Sequence, residues 1–353
     1  MWQRISFGGR FASRRIIAAL QILILCTVAC GSSDPSPVAA EPPQLRDLKW
    51  LRLASKTGGD AVDSLVKALT TIPAECLELP LEPRRAAAVK LGRVAFRSPV
   101  LLGGVASRVG ISCDTCHRNG HDNPHFFVAG VSGQPGTADV TGSIFSTTRE
   151  DQQKNPVPIP TLVDATADST FGTVVPASDL ASFLHAAIEG EFQGRRPPAS
   201  VIKGLVAYLG ELKSSACPQP PTPEVIDIRF DSDARALLET HGVLVAAFER
   251  EDLPTARFVL LSLQAAMERV YERFPDESSG RDGLIEVSRS LSAIREQISV
   301  ASRDGSPSAA SDIATQLGRE RGRLEVCLDR LRSEAENSYY EPDFLRSRFE
   351  LVR

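Results

Sequence analysis

Residues 110–127 read GISCDTCHRNGHDNPHFF, and they place two cysteines and three of the chain's five histidines within eighteen positions. The stretch contains the pattern C-x-x-C-H, formed by Cys113, Cys116 and His117. This pattern is the attachment sequence for c-type haem, in which both thiols bond to the porphyrin and the histidine binds the iron. The stretch therefore predicts one haem c per chain, held covalently by Cys113 and Cys116, with His117 as the proximal axial ligand.

Two other kinds of site compete with this interpretation. A structural zinc ion takes four ligands, and His121 or His125 would have to complete a cramped set with the two cysteines. Dithiol chemistry uses a C-x-x-C at the start of a helix, usually in a βαβ setting that the pattern of this chain does not indicate. Haem attachment accounts for both cysteines and the adjacent histidine together.

The sequence leaves the ligand on the other side of the iron open. Small electron-carrying cytochromes c usually place a methionine there. The only methionines are Met1 and Met267, and Met267 lies in a helical apolar stripe that predicts core packing. His185 is the candidate distal ligand, and an iron that is vacant or binds water is the alternative. We expect His241, which also falls on an apolar stripe, to be an interior histidine with a hydrogen-bond partner.

Other side chains near the motif are candidates for contact with the haem. Arg108 and Arg118 flank the motif and could pair with the propionates, while His121 and His125 could contact propionates or solvent. Candidates for an apolar pocket wall, which would serve a folding core equally well, are Phe96, Leu101, Ile111, Phe126, Phe127 and Leu162.

Residues 1–29 have the layout of a secretory signal peptide. They hold four arginines and no acidic residue, followed by an apolar run from 16 to 25 and small residues at 27–29. The sequence TVACGSS resembles a bacterial lipoprotein processing site with Cys30 as the lipidated residue, and residues 30–44 would form a Pro-rich tether. We expect a periplasmic or cell-envelope protein with a membrane anchor at Cys30; plain secretion and a retained helix are the alternatives.

Export would place the cysteines in an oxidising compartment. Beyond the signal peptide, the lipidation site and the motif, the remaining cysteines are Cys76, Cys217 and Cys327, which allow three pairings. Cys76 and Cys217 flank the motif region on its two sides, so we propose a disulfide between them.

The patterns predict an all-α fold. Residues 45–217 read as a haem domain of short helices and Gly- and Pro-rich loops, and residues 218–228 as a linker whose prolines cannot continue a helix. Residues 229–353 read as an antiparallel helical bundle with apolar residues every three or four positions. The predicted seam of this bundle consists of Leu260, Leu263, Met267, Val270, Phe274, Leu284, Val287, Leu291, Ile294, Ile298, Ile313, Leu317, Leu324, Leu328 and Leu331.

The charge distribution argues against a nucleic-acid partner. The formal net charge is −4, and residues 218–353 hold 18 arginines, no lysine and 25 acidic residues. Phosphate backbones are bound by basic faces.

Several short patterns resemble a known family in their order. They are LGRVAFRSPVLLGG, GISCDTCHRNGHDN, PVPIPTLVDA, IEGEF and VAYLGEL, and they resemble a haem domain of the bacterial di-haem cytochrome c peroxidases and MauG-like proteins over residues 83–213. The resemblance implies a mostly α cytochrome c domain in which Cys113, Cys116 and His117 bind the haem.

The chain departs from this family in ways that bear on activity. It has one C-x-x-C-H motif where the family has two, no tryptophan beyond Trp50, and no methionine in the segment after Leu162. These departures favour an exported mono-haem carrier that exchanges single electrons with a redox partner protein or a quinone-linked chain. The alternatives are a peroxidase-like enzyme without the second haem and a haem-based sensor or scaffold.

Overall fold

The computed structural model describes residues 61–145, 148–167, 171–172, 177–218, 225–304 and 307–350. The predicted signal peptide, Cys30, the tether at 30–44 and Trp50 lie outside the described residues. The described part is mostly helical with a few short strands, as expected for the all-α class. Within it, no helix combines the length and the apolar character needed to cross a bilayer.

The helices of the first part of the chain are short and separated by long loops. They are α1 Ala61–Thr70, α2 Pro83–Phe96, α3 Gly104–Arg108, α4 Cys113–Cys116, α5 Leu180–His185 and α6 Ala199–Glu211, and α5 continues as a π-helix over Ala186–Glu191. The helices of the second part are longer. They are α7 Phe230–Glu249, α8 Leu253–Tyr271, α9 Ser279–Asp304, α10 Pro307–Glu334 and α11 Pro342–Glu350.

Side-chain caps fix where several of these helices begin. The Glu82 carboxylate accepts hydrogen bonds from the backbone N–H groups of Arg84 and Arg85, with Pro83 in the first turn. Asp179 caps α5 and Asp252 caps α8 in the same way, each accepting from a backbone N–H three residues on. These caps satisfy N–H groups that the first turn of a helix leaves without intrahelical partners.

The crossing of α2 and α6 depends on two glycines. A Cβ atom on Gly92 would lie 2.0 Å from the carbonyl oxygen of Gly204, so only glycine lets the two backbones approach this closely. Beside the crossing, the rings of Phe96 and Tyr208 pack with their centroids 5.2 Å apart. This close crossing anchors the loop-rich segment between α2 and α6, which contains the C-x-x-C-H motif.

Two small antiparallel sheets lie outside the helices. Strand β1 (Thr71–Pro73) pairs with β4 (Val225–Asp227), and β2 (Thr137–Ala138) pairs with β3 (Val157–Pro158). Strand β4 lies within the predicted linker 218–228, so this part of the linker is a strand that pairs with β1. Residues 219–224 of that linker lie outside the described residues.

The apolar stripe predicted for the second part is buried as expected. All fifteen predicted seam residues are buried, including Met267, which is 1% exposed. Helix α7 packs on α8, α8 on α9, α9 on α10, and α10 packs back against α7. His241 is also buried, and its Nε2 donates to the carbonyl oxygen of Leu317 at 3.0 Å, which satisfies the ring as predicted.

One hydrophobic core runs through both parts of the described chain. The buried residues from Val89 to Tyr340 form a single cluster. Helix α2 contacts α7 and α8, and the hydroxyl groups of Ser98 and Ser262 hydrogen-bond across this contact at 2.8 Å. The predicted haem region and the predicted bundle are thus packed against each other through apolar side chains.

Candidate functional site

The two motif cysteines lie on a single helical turn. Helix α4 spans Cys113–Cys116, and Ser112 precedes it in an extended conformation. The backbone N–H of Ser112 donates to Thr115 Oγ1 at 3.0 Å, and the N–H of Thr115 donates to the Ser112 carbonyl oxygen at 3.0 Å. Positions i and i+3 share one helix face, so this turn presents both thiols on the same side.

His117 ends the turn, and its ring is oriented by a carbonyl group. Its Nδ1 lies 2.9 Å from the carbonyl oxygen of Pro160. A carbonyl oxygen only accepts, so Nδ1 is the protonated nitrogen and Nε2 has the free lone pair. Burial lowers the pKa of His117, partly opposed by the Pro160 hydrogen bond, and this favours the neutral ring. Metal-bound histidines almost always donate their second ring N–H in this manner.

The loop that supplies Pro160 is itself fixed by backbone hydrogen bonds. The N–H of Ile159 donates to Gly136 at 3.0 Å, and the N–H of Leu162 donates to Gly120 at 2.7 Å. Gly120 follows His117 by three residues and has a φ of +87°. The orientation of the His117 ring is therefore determined by main-chain geometry on both sides.

The environment of the two thiols does not suit dithiol redox chemistry. Cys113 and Cys116 are not disulfide-bonded, and they pack against the core. Burial raises the pKa of each thiol to about 12, with Asp114 adding to the shift at Cys113. Reactive C-x-x-C cysteines have lowered pKa values because the thiolate is the nucleophile. The opposite shift argues against thiol redox chemistry at this pair.

A partly buried carboxyl group that sequence reasoning missed lies near the motif. Glu191 ends the π-helix, and its negative charge contributes to the raised pKa of both motif thiols. Burial raises the pKa of Glu191 to about 7, although Arg149, whose Nη1 lies 3.2 Å from the carboxylate, opposes the shift. The sequence showed this residue only within the pattern IEGEF, and the helical periodicity gave no sign of π-helical geometry.

His185 precedes this π-helix. Its Nδ1 lies 2.7 Å from Glu189 Oε1, one helical turn further on, and Glu189 also lies 3.8 Å from Arg196. A carboxylate that binds Nδ1 leaves Nε2 as the nitrogen for a ligand. The role of His185 as distal ligand stays a prediction.

The two other histidines near the motif have different environments. His121 is buried, and its Nε2 donates to the carbonyl oxygen of Ala74 at 3.1 Å while lying 3.4 Å from Cys76 Sγ. Because its Nε2 makes this hydrogen bond, that nitrogen does not act as a ligand in a zinc site with the motif cysteines. His125 is exposed, and its backbone N–H donates to Asn123 Oδ1 at 3.1 Å.

Arg118 points away from the face that presents the cysteines. Its Nη1 donates to the carbonyl oxygen of Ala68 at 3.0 Å, and the side chain lines a cavity together with Asp114 and Thr115. These residues occupy the back of the α4 turn, opposite Cys113 and Cys116. In this arrangement the Arg118 guanidinium is engaged with the Ala68 carbonyl oxygen, and its pairing with a propionate stays a prediction. Arg108 is exposed at the end of α3.

The candidates for an apolar wall lie in or next to the core. Phe96, Leu101, Ile111 and Phe126 are buried, and Leu162 packs against the same cluster as the two motif cysteines. Phe127 is partly exposed. Most of the predicted wall residues thus belong to the folding core that supports the motif.

The structure joins Cys76 to Cys217 by a disulfide, which is the pairing proposed from the sequence. Cys327 is a buried free thiol. Backbone contacts hold the two ends of the bridge independently: the N–H of Lys213 donates to the Cys76 carbonyl oxygen at 3.0 Å, and Leu77 bridges to Leu212. The disulfide encloses the whole motif region.

Within the described residues there is no group of three or more histidine, cysteine, aspartate and glutamate side chains positioned to hold a metal ion. No family model, no curated protein and no solved structure matches this chain. The haem and the family resemblance are predictions from the sequence motif.

Proposed function

We propose that this chain is an exported c-type cytochrome with one haem, bound to Cys113 and Cys116 and ligated by His117, that transfers single electrons. The observation that supports it best is the 2.9 Å contact between His117 Nδ1 and the Pro160 carbonyl oxygen. It leaves the Nε2 lone pair as the free ligand atom, and it orients the ring before any ligand binds. When bound, the haem supplies an Fe(III)/Fe(II) couple that accepts and releases one electron.

The residues of the chain would serve three purposes in this function. Cys113 and Cys116 would hold the porphyrin through two thioether bonds from one helical turn. His117 would donate its Nδ1 proton to Pro160 in both oxidation states. The core against which the thiols pack would limit the access of water. On this proposal the fold is a cytochrome c-like haem region over residues 45–217, followed by an antiparallel helical bundle over residues 229–353.

The proposed location is the periplasm or cell envelope, with a lipid anchor on Cys30. The disulfide between Cys76 and Cys217 supports export, since such bonds persist in oxidising compartments. The electron partner would be a redox protein or a quinone-linked chain.

A peroxidase-like enzyme without the second haem is the alternative, and one observation favours it. Met267 is 1% exposed within the core of α8, so it cannot serve as an iron ligand without unpacking that helix. A sixth position without methionine is one at which peroxide could bind. Glu191, whose pKa burial raises to about 7 and whose charge acts on both motif thiols, would be the group near the motif able to exchange a proton.

Haem attachment is tested by producing the full chain in a bacterium that matures c-type cytochromes and measuring its intact mass and absorption spectrum. We expect the mass of the chain plus one haem and a c-type spectrum. Replacing Cys113 and Cys116 with alanine should abolish both, whereas Cys327→Ala, a matched cysteine outside the motif, should change neither. A wild-type protein without covalent haem would overturn the proposal.

His185 and the choice between carrier and peroxidase are tested on the same holoprotein. If His185 is the distal ligand, His185→Ala should convert a low-spin spectrum to a high-spin one, and an unchanged spectrum would remove it. A carrier should show no spectral change and no oxidation of a small donor when peroxide is added. Peroxide-dependent turnover would favour the enzyme instead.

A further inference from the structure

Asn119 follows the proposed iron ligand His117 by two residues, and its backbone adopts a conformation that is uncommon for residues other than glycine. Its φ and ψ are 50° and 32°, and Gly120 beside it has a φ of +87°. Asparagine tolerates this left-handed region better than most residues, because its short polar side chain can form hydrogen bonds close to the backbone. The N–H of Gly120 donates to the His117 carbonyl oxygen at 2.9 Å, which closes a turn directly after the motif.

The buried side chain of Asn119 connects this turn to two other parts of the fold. Arg97, at the end of α2, donates from Nη2 to Asn119 Oδ1 at 2.6 Å, and Asn119 Nδ2 donates to the carbonyl oxygen of Pro73 in β1 at 2.8 Å. A guanidinium group only donates and a carbonyl oxygen only accepts, so the side chain must offer one acceptor and one donor. An amide provides both, whereas an aspartate of the same size has no N–H for Pro73.

The main chain at 119–120 connects the α4 turn to the loop that orients the histidine. The N–H of Asn119 donates to Asp114 Oδ1, within α4, at 2.9 Å. The carbonyl oxygen of Gly120 accepts from the N–H of Leu162 at 2.7 Å, two residues after Pro160. The segment that carries the cysteines and the segment that carries the Pro160 carbonyl group are therefore joined through two consecutive residues.

The hydrogen bond of the His117 ring depends on the relative position of these two segments. His117 Nδ1 lies 2.9 Å from the Pro160 oxygen, and a further separation of roughly 0.7 Å would break the contact. Such a movement would also strain the bonds of Asn119 to Arg97, Pro73 and Asp114. The amide therefore resists the movement that would release the ring.

We propose that Asn119 is a positioning residue that acts through His117. It holds the imidazole ring at the Pro160 carbonyl oxygen, so that Nδ1 keeps the proton and Nε2 keeps the lone pair. The consequence for the iron rests on the proposed function, whereas the orientation of the ring exists in the chain without haem. The two parts of the proposal can therefore be tested separately.

The first test is ¹⁵N NMR of the histidine rings in the full chain with Cys113→Ala and Cys116→Ala, a parent form that carries no covalent haem. The shifts of the two ring nitrogens report which one is protonated. We expect the His117 ring of the parent to be protonated on Nδ1. Adding Asn119→Ala should give a mixture of both tautomers and should speed exchange of the Nδ1 proton with water about tenfold. Asn119→Gly should retain part of the Nδ1-protonated population, because glycine keeps the left-handed backbone but lacks the amide.

The matched control is Gln264→Ala, which removes another side-chain amide with tertiary hydrogen bonds. Gln264 Nε2 donates to the carbonyl oxygen of Ser288 and to Ser292 Oγ, between α8 and α9. This variant should leave the His117 ring unchanged. Circular dichroism establishes that each variant is folded, and if Asn119→Ala does not fold, Asn119→Gly decides. The proposal is overturned if the parent ring is protonated on Nε2, or if the Asn119 variants match the control in tautomer and exchange rate.

The second test is the reduction potential of the holoprotein. A histidine that donates its second N–H is a more basic ligand, and a more basic ligand favours Fe(III). Asn119→Ala should therefore raise the potential, and Gln264→Ala should leave it unchanged. A holoprotein in which both variants have the wild-type potential would overturn the role of Asn119 at the iron. If the wild type attaches no haem, the proposed function fails, and the NMR experiment still decides whether Asn119 positions the ring.

Discussion

Replacing Cys76 and Cys217 together by serine is expected to lower the free energy of unfolding by about 2–5 kcal/mol. The two cysteines are 141 residues apart. For a loop of this length, the loss of chain entropy in the unfolded ensemble corresponds to roughly 5 kcal/mol at 25 °C. The folded state should keep its shape, since β1 pairs with β4 and the Lys213 N–H bonds the Cys76 carbonyl oxygen without help from the sulfurs. The stabilisation therefore acts mainly through the unfolded chain.

The assay is guanidinium unfolding of the holoprotein, with the free energy obtained by linear extrapolation. Both cysteines are changed together, so that no new thiol can pair with Cys113 or Cys116. The variant should also show a larger slope with denaturant, because an unfolded chain without the crosslink is more expanded. The chemically reduced wild type should match the variant. A difference below about 1 kcal/mol would refute the entropic argument for a loop this long.

Two further substitutions probe the packing around the motif. Glu75→Gln should cost about 3–5 kcal/mol at pH 7, because it removes the carboxylate that pairs with Arg97 and one of the two that pair with Arg93. Burial raises the pKa of Glu75, but the two arginines outweigh it and lower the net value. The wild type should therefore exceed the variant in free energy of unfolding by the full amount above the ordinary glutamate pKa. This difference should shrink as the pH falls through the lowered pKa of Glu75. A difference that does not vary with pH in unfolding titrations would contradict this. Gly92→Ala should destabilise by at least about 3 kcal/mol, because the new Cβ would overlap the facing helix. The control is Gly210→Ala on α6, where a new Cβ would have open space around it. This change should leave the free energy of unfolding unchanged or raise it by about 0.5–1 kcal/mol. Equal melting temperatures for Gly92→Ala and Gly210→Ala would contradict the close crossing of α2 and α6.

The helical stripes of the second part could be predicted because their physical cause is local. Leu263 and Leu291 are buried because they belong to stripes of apolar residues that recur every three or four positions. That spacing is visible in the sequence itself. The pairing of Thr71–Pro73 with Val225–Asp227 could not be predicted in this way. These segments are short, lack alternation and lie far apart in the chain, so their pairing depends on tertiary packing.

In the candidate site, too, the local pattern could be predicted from the sequence and the long-range contacts could not. The C-x-x-C-H spacing identifies Cys113, Cys116 and His117 because the chemistry needs those residue types on one turn. The carbonyl that orients His117 belongs to Pro160, 43 residues later. Every residue has a main-chain carbonyl oxygen, so the sequence does not show which one accepts this hydrogen bond. The acceptor of the Arg118 guanidinium, the carbonyl oxygen of Ala68, lies 50 residues earlier in the chain and could not be predicted for the same reason.

The disulfide between Cys76 and Cys217 turns the chain from 76 to 217 into a closed covalent ring. The C-x-x-C-H turn, the Pro160 loop and the π-helix all lie inside this ring. Few of the described residues between Arg118 and Asp179 are helical, and exposed loops of this kind are preferred sites of proteolytic cleavage. One cut there would leave the two fragments covalently joined, so the turn bearing the cysteines would stay tethered to the carbonyl that orients its histidine until a reductant opened the ring.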